Sequence, residues 1–178
     1  MIPLAALLIQ AAAPESVDEA GSKAVVQIFR DACTRGEVRV PADRAHLLSD
    51  DDAATYSGFF GIRQTKRITV IKFDDPRSTY VIFADYKNNQ PKSIGRRCIV
   101  VSPILTLDDA LRAMVWTAPD LEPQRQWVPN MYKDIWTIDA PKRGFKSTVS
   151  VLSDRSVRIE IGTYASALNQ NSSEARKQ

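Results

Sequence analysis

The scarcest reactive side chains in this chain of 178 residues are one histidine, His46, and two cysteines, Cys33 and Cys98. A histidine acting on a distant serine, with an aspartate to orient it, makes a nucleophilic hydrolase. Asp50, Asp51 and Asp52 follow His46 closely enough to supply that aspartate. The frame for the nucleophile is missing, because no Gly-x-Ser-x-Gly elbow occurs. The other reading of His46 is a surface or helix-end residue with no chemical role. A closed zinc site needs four Cys, or two Cys and two His, so composition excludes one. Three consecutive aspartates do not converge on one cation, and the EF-hand spacing is absent. Asp50–Asp52 read better as the acidic start of a helix, and Asp74-Asp75-Pro76 as a hairpin turn. There is no Walker A loop, Gly-x-Gly-x-x-Gly, HExxH or Ser-x-x-Lys, and seven glycines leave little material for phosphate-cradling loops. No catalytic residue, metal site or cofactor is assigned from these residues.

The cysteines carry information about compartment. They lie 65 residues apart, with no Cys-x-x-Cys pair and no histidine nearby, which argues against redox catalysis. In an exported chain two cysteines pair as one disulfide. In a reducing cytoplasm they stay as buried thiols. Residues 2–9 are apolar and Ala11-Ala12-Ala13 has the small-x-small form of a cleavage site, so residues 1–13 read as a signal peptide. Against this, no Lys or Arg precedes the apolar run, and Pro14 follows the cut. The alternative is an N-terminal strand or helix docked on the core. The run falls well short of the ~20 apolar residues of a membrane-spanning helix. The expectation is a periplasmic or secreted protein, with a cytoplasmic one as the alternative.

Charge and aromatics supply two candidate surfaces. The chain has 24 basic and 21 acidic residues, and a net charge of +3 names no partner. Residues 63–97, however, hold nine basic residues against three acidic ones, so this stretch is strongly basic and the rest is mildly acidic. Arg63, Lys66, Arg67, Lys87, Lys92, Arg96 and Arg97 are the candidate anion-binding residues, with Phe73, Tyr80 and Tyr86 interleaved. The competing reading is a solvated strand face whose charges block aggregation. No ribonucleoprotein-type aromatic motif accompanies them, which disfavours nucleic acid. Trp116, Trp127 and Trp136 are the candidate apolar binding surface, or else the rim of a core.

The elements that must position these residues are an average globular set: 44% hydrophobic, 25% charged and 8% aromatic. Ala24, Val25, Ile28, Phe29, Ala32 and Cys33 form an apolar stripe at helical period across residues 17–33. Gly36 is a fitting stop. Residues 66–73, 78–86 and 97–101 read as three strands, the last of them central because both its faces are apolar. Thr106-Leu107-Asp108-Asp109 is an acidic capping box. It opens a helix bearing Leu107, Ala110, Leu111, Met114 and Val115 on one face, and Pro119 ends it. Residues 119–133 read as a long connection. Strands at 135–139, 145–152 and 156–164 follow, with a tight turn at Ser153-Asp154-Arg155. The expected fold is α+β in the order α-βββ-α-βββ. It has a mostly antiparallel sheet of about six strands with helices packed on one face. It forms one domain over residues 17–164, followed by a flexible tail at 165–178. Cys33 on the first helix and Cys98 on the third strand meet in that arrangement.

The run Ile28-Phe29-Arg30-Asp31-Ala32-Cys33, shortly after an Ala-rich apolar start, resembles a group of small exported bacterial proteins of unassigned function. These have an N-terminal helix ending in Cys, a later strand Cys and a closing β-hairpin. Cys98 and residues 145–164 fit that layout. The resemblance implies a secreted or periplasmic domain with one disulfide and carries over no catalytic residue. The leading functional expectation is a non-enzymatic exported domain that binds another macromolecule, either a protein or an anionic envelope component. The alternatives are an envelope hydrolase with His46 as base, and binding of an anionic polymer or nucleic acid through residues 63–97.

Overall fold

A computed structural model describes residues 17–34, 45–49, 55, 65–74, 78–86, 93–128 and 133–167. Helix α1 spans Val17–Phe29 and runs on into a single π-helical turn, Arg30–Thr34. Ser22, Val25, Phe29 and Ala32 form its buried line, flanked by half-buried Val26, Ile28 and Cys33. Ala24, placed on the apolar stripe from sequence, is exposed instead. Alanine loses little by that exposure, and the larger Val25 and Phe29 decide which side faces the core. Gly36, the expected stop, lies outside the described residues.

Among the described residues eight strands form one antiparallel sheet: β1 Ala45–Leu47, β2 Thr65–Phe73, β3 Thr79–Tyr86, β4 Ile94–Ser102, β5 Gln124–Val128, β6 Lys133–Ala140, β7 Phe145–Val151 and β8 Val157–Tyr164. Their spatial order is β1-β2-β3-β4-β8-β7-β6-β5. Two meanders therefore meet at β4 and β8, each preceded in the chain by a helix. The expected number of about six strands is corrected to eight, and each half gains one strand. Both extra strands are sheet edges. β1 has only three residues, and β5, inside the supposed connection 119–133, is exposed along nearly its whole length. An edge strand with no buried face has no apolar alternation to read.

Helix α2, Leu107–Thr117, lies beside α1 on the same face of the sheet. Half of its expected capping box forms: the Asp109 N–H donates to Thr106 Oγ1 at 3.2 Å, while the Thr106 N–H is not taken up by the Asp109 carboxylate. A third partner, absent from the local motif, is Ser22 of α1. Its hydroxyl is fully buried, accepts from the Thr106 N–H at 3.0 Å and donates to Asp109 Oδ2 at 2.5 Å. Ala118, with φ −153° and ψ 77° outside the helical region and just before Pro119, ends the helix. The main core lies between these helices and the sheet, around Val25, Phe29, Val100, Met114, Val149 and Ile159. A second, smaller core covers the opposite face of β2–β4, where Val70, Ile82 and Ile99 are fully buried. This accounts for the apolar character of both faces of β4, which is indeed central.

A disulfide joins Cys33 in the π-helical turn to Cys98 on β4, with Cα atoms 5.4 Å apart. The end of α1 is thereby tied to the middle of the sheet. After β8, Ala165–Ala167 make a helical turn, and the Ala165 N–H donates to Ser93 O at 2.9 Å. The segments expected as signal peptide (1–13) and most of the tail (168–178) lie outside the described residues. Among the described residues no helix is long and apolar enough to cross a membrane.

Candidate functional site

The pleat divides the basic segment. In the register of the sheet Arg67 faces Asp85, Asp85 faces Arg96, and Arg96 faces Thr163, so these four side chains form one row on the helix side. Arg96 Nε donates to Asp85 Oδ1 at 2.8 Å. With the Cys33–Cys98 bridge the row borders a cavity of about 450 Å³. Two of the seven candidate cations thus converge, with a carboxylate between them. Lys66 is exposed at a bulge in β2. Arg63, Lys87 and Lys92 lie outside the described residues.

Arg97 belongs to the other face because it is one residue out of phase with Arg96. There Glu160, only 12% exposed, is shared by Arg158 and Arg97. Arg158 Nε donates to Glu160 Oε2 at 3.0 Å, and Arg97 Nη1 lies 3.5 Å from Oε1. The Arg97 guanidinium also stands 5.1 Å from the Tyr86 ring centre. Burial alone pushes the Glu160 carboxyl pKa upward. The charges of Arg158 and Arg97, with hydrogen bonds from Arg158 and Thr148, outweigh it and hold the group below its ordinary value. Arg97 is therefore engaged with Glu160 within the fold, although its buried Nε makes no hydrogen bond.

The tryptophans have separate surroundings. Trp136 on β6 packs against the main core, with the Arg125 guanidinium 5.7 Å from its ring centre. Arg125 is itself held by Asp134 through a two-pronged pair at 3.0 and 2.7 Å. Trp127 on edge strand β5 is 53% exposed. Trp116 on α2 is 48% exposed and carries the Arg30 guanidinium 3.7 Å from its ring centre.

Trp116 and Arg30 close one end of a groove of about 390 Å³ between α1 and α2. Residues 23, 26, 27 and 30 contribute one wall, and 109, 112, 113 and 116 the other. Both sets have the i, i+3, i+4, i+7 spacing of a single helix face. Val26, Ala113 and the Trp116 ring are its apolar surface. Lys23, Arg30 and Arg112 are its cations, and Asp109 its one carboxylate. Sequence reasoning missed Lys23, Arg30 and Arg112, although their spacing beside the apolar stripes was there to be read. What was invisible is that α1 and α2 are neighbours.

His46 sits on edge strand β1 with its side chain half-exposed, and Nδ1 is 3.5 Å from Asp74 Oδ2. The carboxylate within its reach is thus Asp74 from the end of the neighbouring strand. Asp50–Asp52 lie outside the described residues. Among the described residues no three His, Cys, Asp or Glu side chains converge as a metal site. No family model, curated protein or solved structure matches the chain.

Proposed function

We propose that this protein is an exported domain that works by binding another macromolecule rather than by turning over a substrate. The observation that carries the reading is the interhelical groove, where Trp116 is half-exposed and lies under Arg30. Trp and Arg dominate the energetics of protein interfaces, because each buries a large surface and keeps directed donors. A solvent-exposed indole at the mouth of a groove gains by being covered. Export is supported by the Cys33–Cys98 bridge, which persists in oxidising compartments, and by the apolar start of the chain. The layout of helix cysteine, strand cysteine and closing hairpin is that of the exported bacterial proteins it resembles.

The test is capture by in-cell crosslinking in the native host, with the tagged full chain, its Trp116→Ala variant and a Trp127→Ala control. A partner recovered with the wild type and the Trp127→Ala variant, but at least ~10-fold depleted with Trp116→Ala, is the expected outcome. Equal recovery with all three overturns the reading. His46→Ala is expected to leave capture unchanged. A hydrolytic activity of the purified chain that this variant abolishes would instead point to a His46 hydrolase.

A further inference from the structure

Resting on that reading of the groove, we infer that its occupant is an acidic segment of a partner protein. A single carboxylate docks on Arg30, and a neighbouring apolar side chain lies on Trp116, Val26 and Ala113.

Most of the charges around the groove are already in use. Lys23 pairs with Glu19 at 3.4 Å, and Arg112 with Asp109 at 3.7 Å. Asp109 also receives hydrogen bonds from Ser22 and Thr106, so its charge is spent inside the fold. Arg30 has no carboxylate partner among the described residues. Its Nε is buried and makes no hydrogen bond. Stacking on the indole occupies the flat face of a guanidinium and leaves the in-plane N–H fork unused. The planar group that matches the fork with two parallel hydrogen bonds is a carboxylate or a phosphate.

The rest of the groove selects between those chemistries. One uncommitted cation suits one carboxylate. A polyanion gains its affinity by neutralising several phosphates or sulfates at once, and here the remaining cations have internal partners. The groove is also short, and three of its eight lining residues, Val26, Ala113 and Trp116, are apolar. A cavity of about 390 Å³ accepts two or three side chains rather than a polymer backbone. A peptide in which an acidic residue adjoins a large apolar one satisfies both halves.

The experiment uses the isotopically labelled full chain with its disulfide intact. The probe is a blocked pentapeptide alternating Leu and Glu, and the control is the same peptide with Gln in place of Glu. The Arg30 Nε–H and Trp116 indole N–H resonances report on the groove. The Glu peptide is expected to shift both and to bind ~10-fold or more tightly than the Gln peptide. Arg30→Gln is expected to remove that preference, and Trp127→Ala to leave it. Affinity should fall only about fourfold between about 50 and 200 mM salt, against about 40-fold for a ligand making three phosphate-like contacts. Equal binding of the two peptides, or no shift at Arg30, overturns the inference. Tighter binding of heparin at the same resonances with the steep salt dependence overturns it in favour of a polyanion. If Trp116→Ala abolishes partner capture while the Glu peptide fails here, the groove still binds a macromolecule and only its chemistry has been misassigned.

Discussion

Glu160 is a side chain whose protonation the fold shifts. It is nearly buried, and Arg158 and Arg97 flank it. Its folded-state pKa lies below the ordinary carboxylate value because the two guanidinium charges outweigh the desolvation that opposes them. A depressed pKa means that ionised Glu160 stabilises the fold above its unfolded value. That contribution is lost as pH falls through the folded value. Glu160→Gln leaves the mostly covered Arg158 and the one-third-exposed Arg97 without their counter-charge and is expected to cost about 2 kcal/mol at neutral pH. The loss should shrink as pH falls through the folded-state value of Glu160, where the wild type becomes neutral as well. Urea unfolding of both proteins at neutral pH and over a series of falling acid pH values checks this. Tyr164 shows the reverse shift: burial and donation to Asp139 Oδ1 at 2.6 Å push its hydroxyl up to about 12. None of this was legible locally. Val157, Ile159 and Ile161 on one side, and Arg158 and Glu160 on the other, were readable as an alternating strand. That the polar side is nearly buried depends on Arg97, which arrives from a strand some 60 residues earlier in the chain.

At the scale of elements, helix ends and hairpin turns carry the most local information. The Thr106 N-cap is a sequence signal that the structure reproduces, because its partner, the Asp109 N–H, is three residues away; the return bond of the box is replaced by Ser22 of α1. The β7–β8 turn is another, closed by Leu152 N–H to Ser156 O at 2.8 Å and by Asp154 accepting from the Ser156 N–H at 3.0 Å. The turn from Pro141 to Gly144 rests on a distant contact as well. Gly144 has φ +78°, and a Cβ there would stand 2.6 Å from Ala167 Cβ. Gly144→Ala therefore adds left-handed backbone strain to a clash with the closing helical turn. A loss of about 2 kcal/mol is expected in thermal or urea unfolding. Edge strands β1 and β5 were illegible for a physical reason. Their hydrogen bonds come from a neighbour, while their side chains mostly face water.

For the whole molecule, the Cys33–Cys98 bridge is the main long-range constraint, and it also bears on the groove. Arg30 lies three residues before Cys33 in the same π-helical turn, so the bridge fixes the end of α1 that presents Arg30 to Trp116. Closing a 65-residue separation is worth about 4 kcal/mol in the chain-entropy model. The Cys33→Ala/Cys98→Ala double variant is expected to lose stability of that order in urea unfolding. Its Arg30 and Trp116 resonances should broaden or move toward free-side-chain positions. Unchanged resonances would mean that the helix pair holds the stack without help. The sequence by itself determined the α+β class, the mostly antiparallel sheet and the central place of β4, because periodicity and turn signals act between near neighbours; the order α-βββ-α-βββ missed one edge strand in each half. It also placed Cys33 and Cys98 on elements able to meet. Only the tertiary structure decided which charges face one another. Arg96 and Arg97 are adjacent in the chain and part to opposite faces of the sheet. Arg30 and Trp116, 86 positions apart, become one stacked pair, because two helices pack side by side on the same sheet.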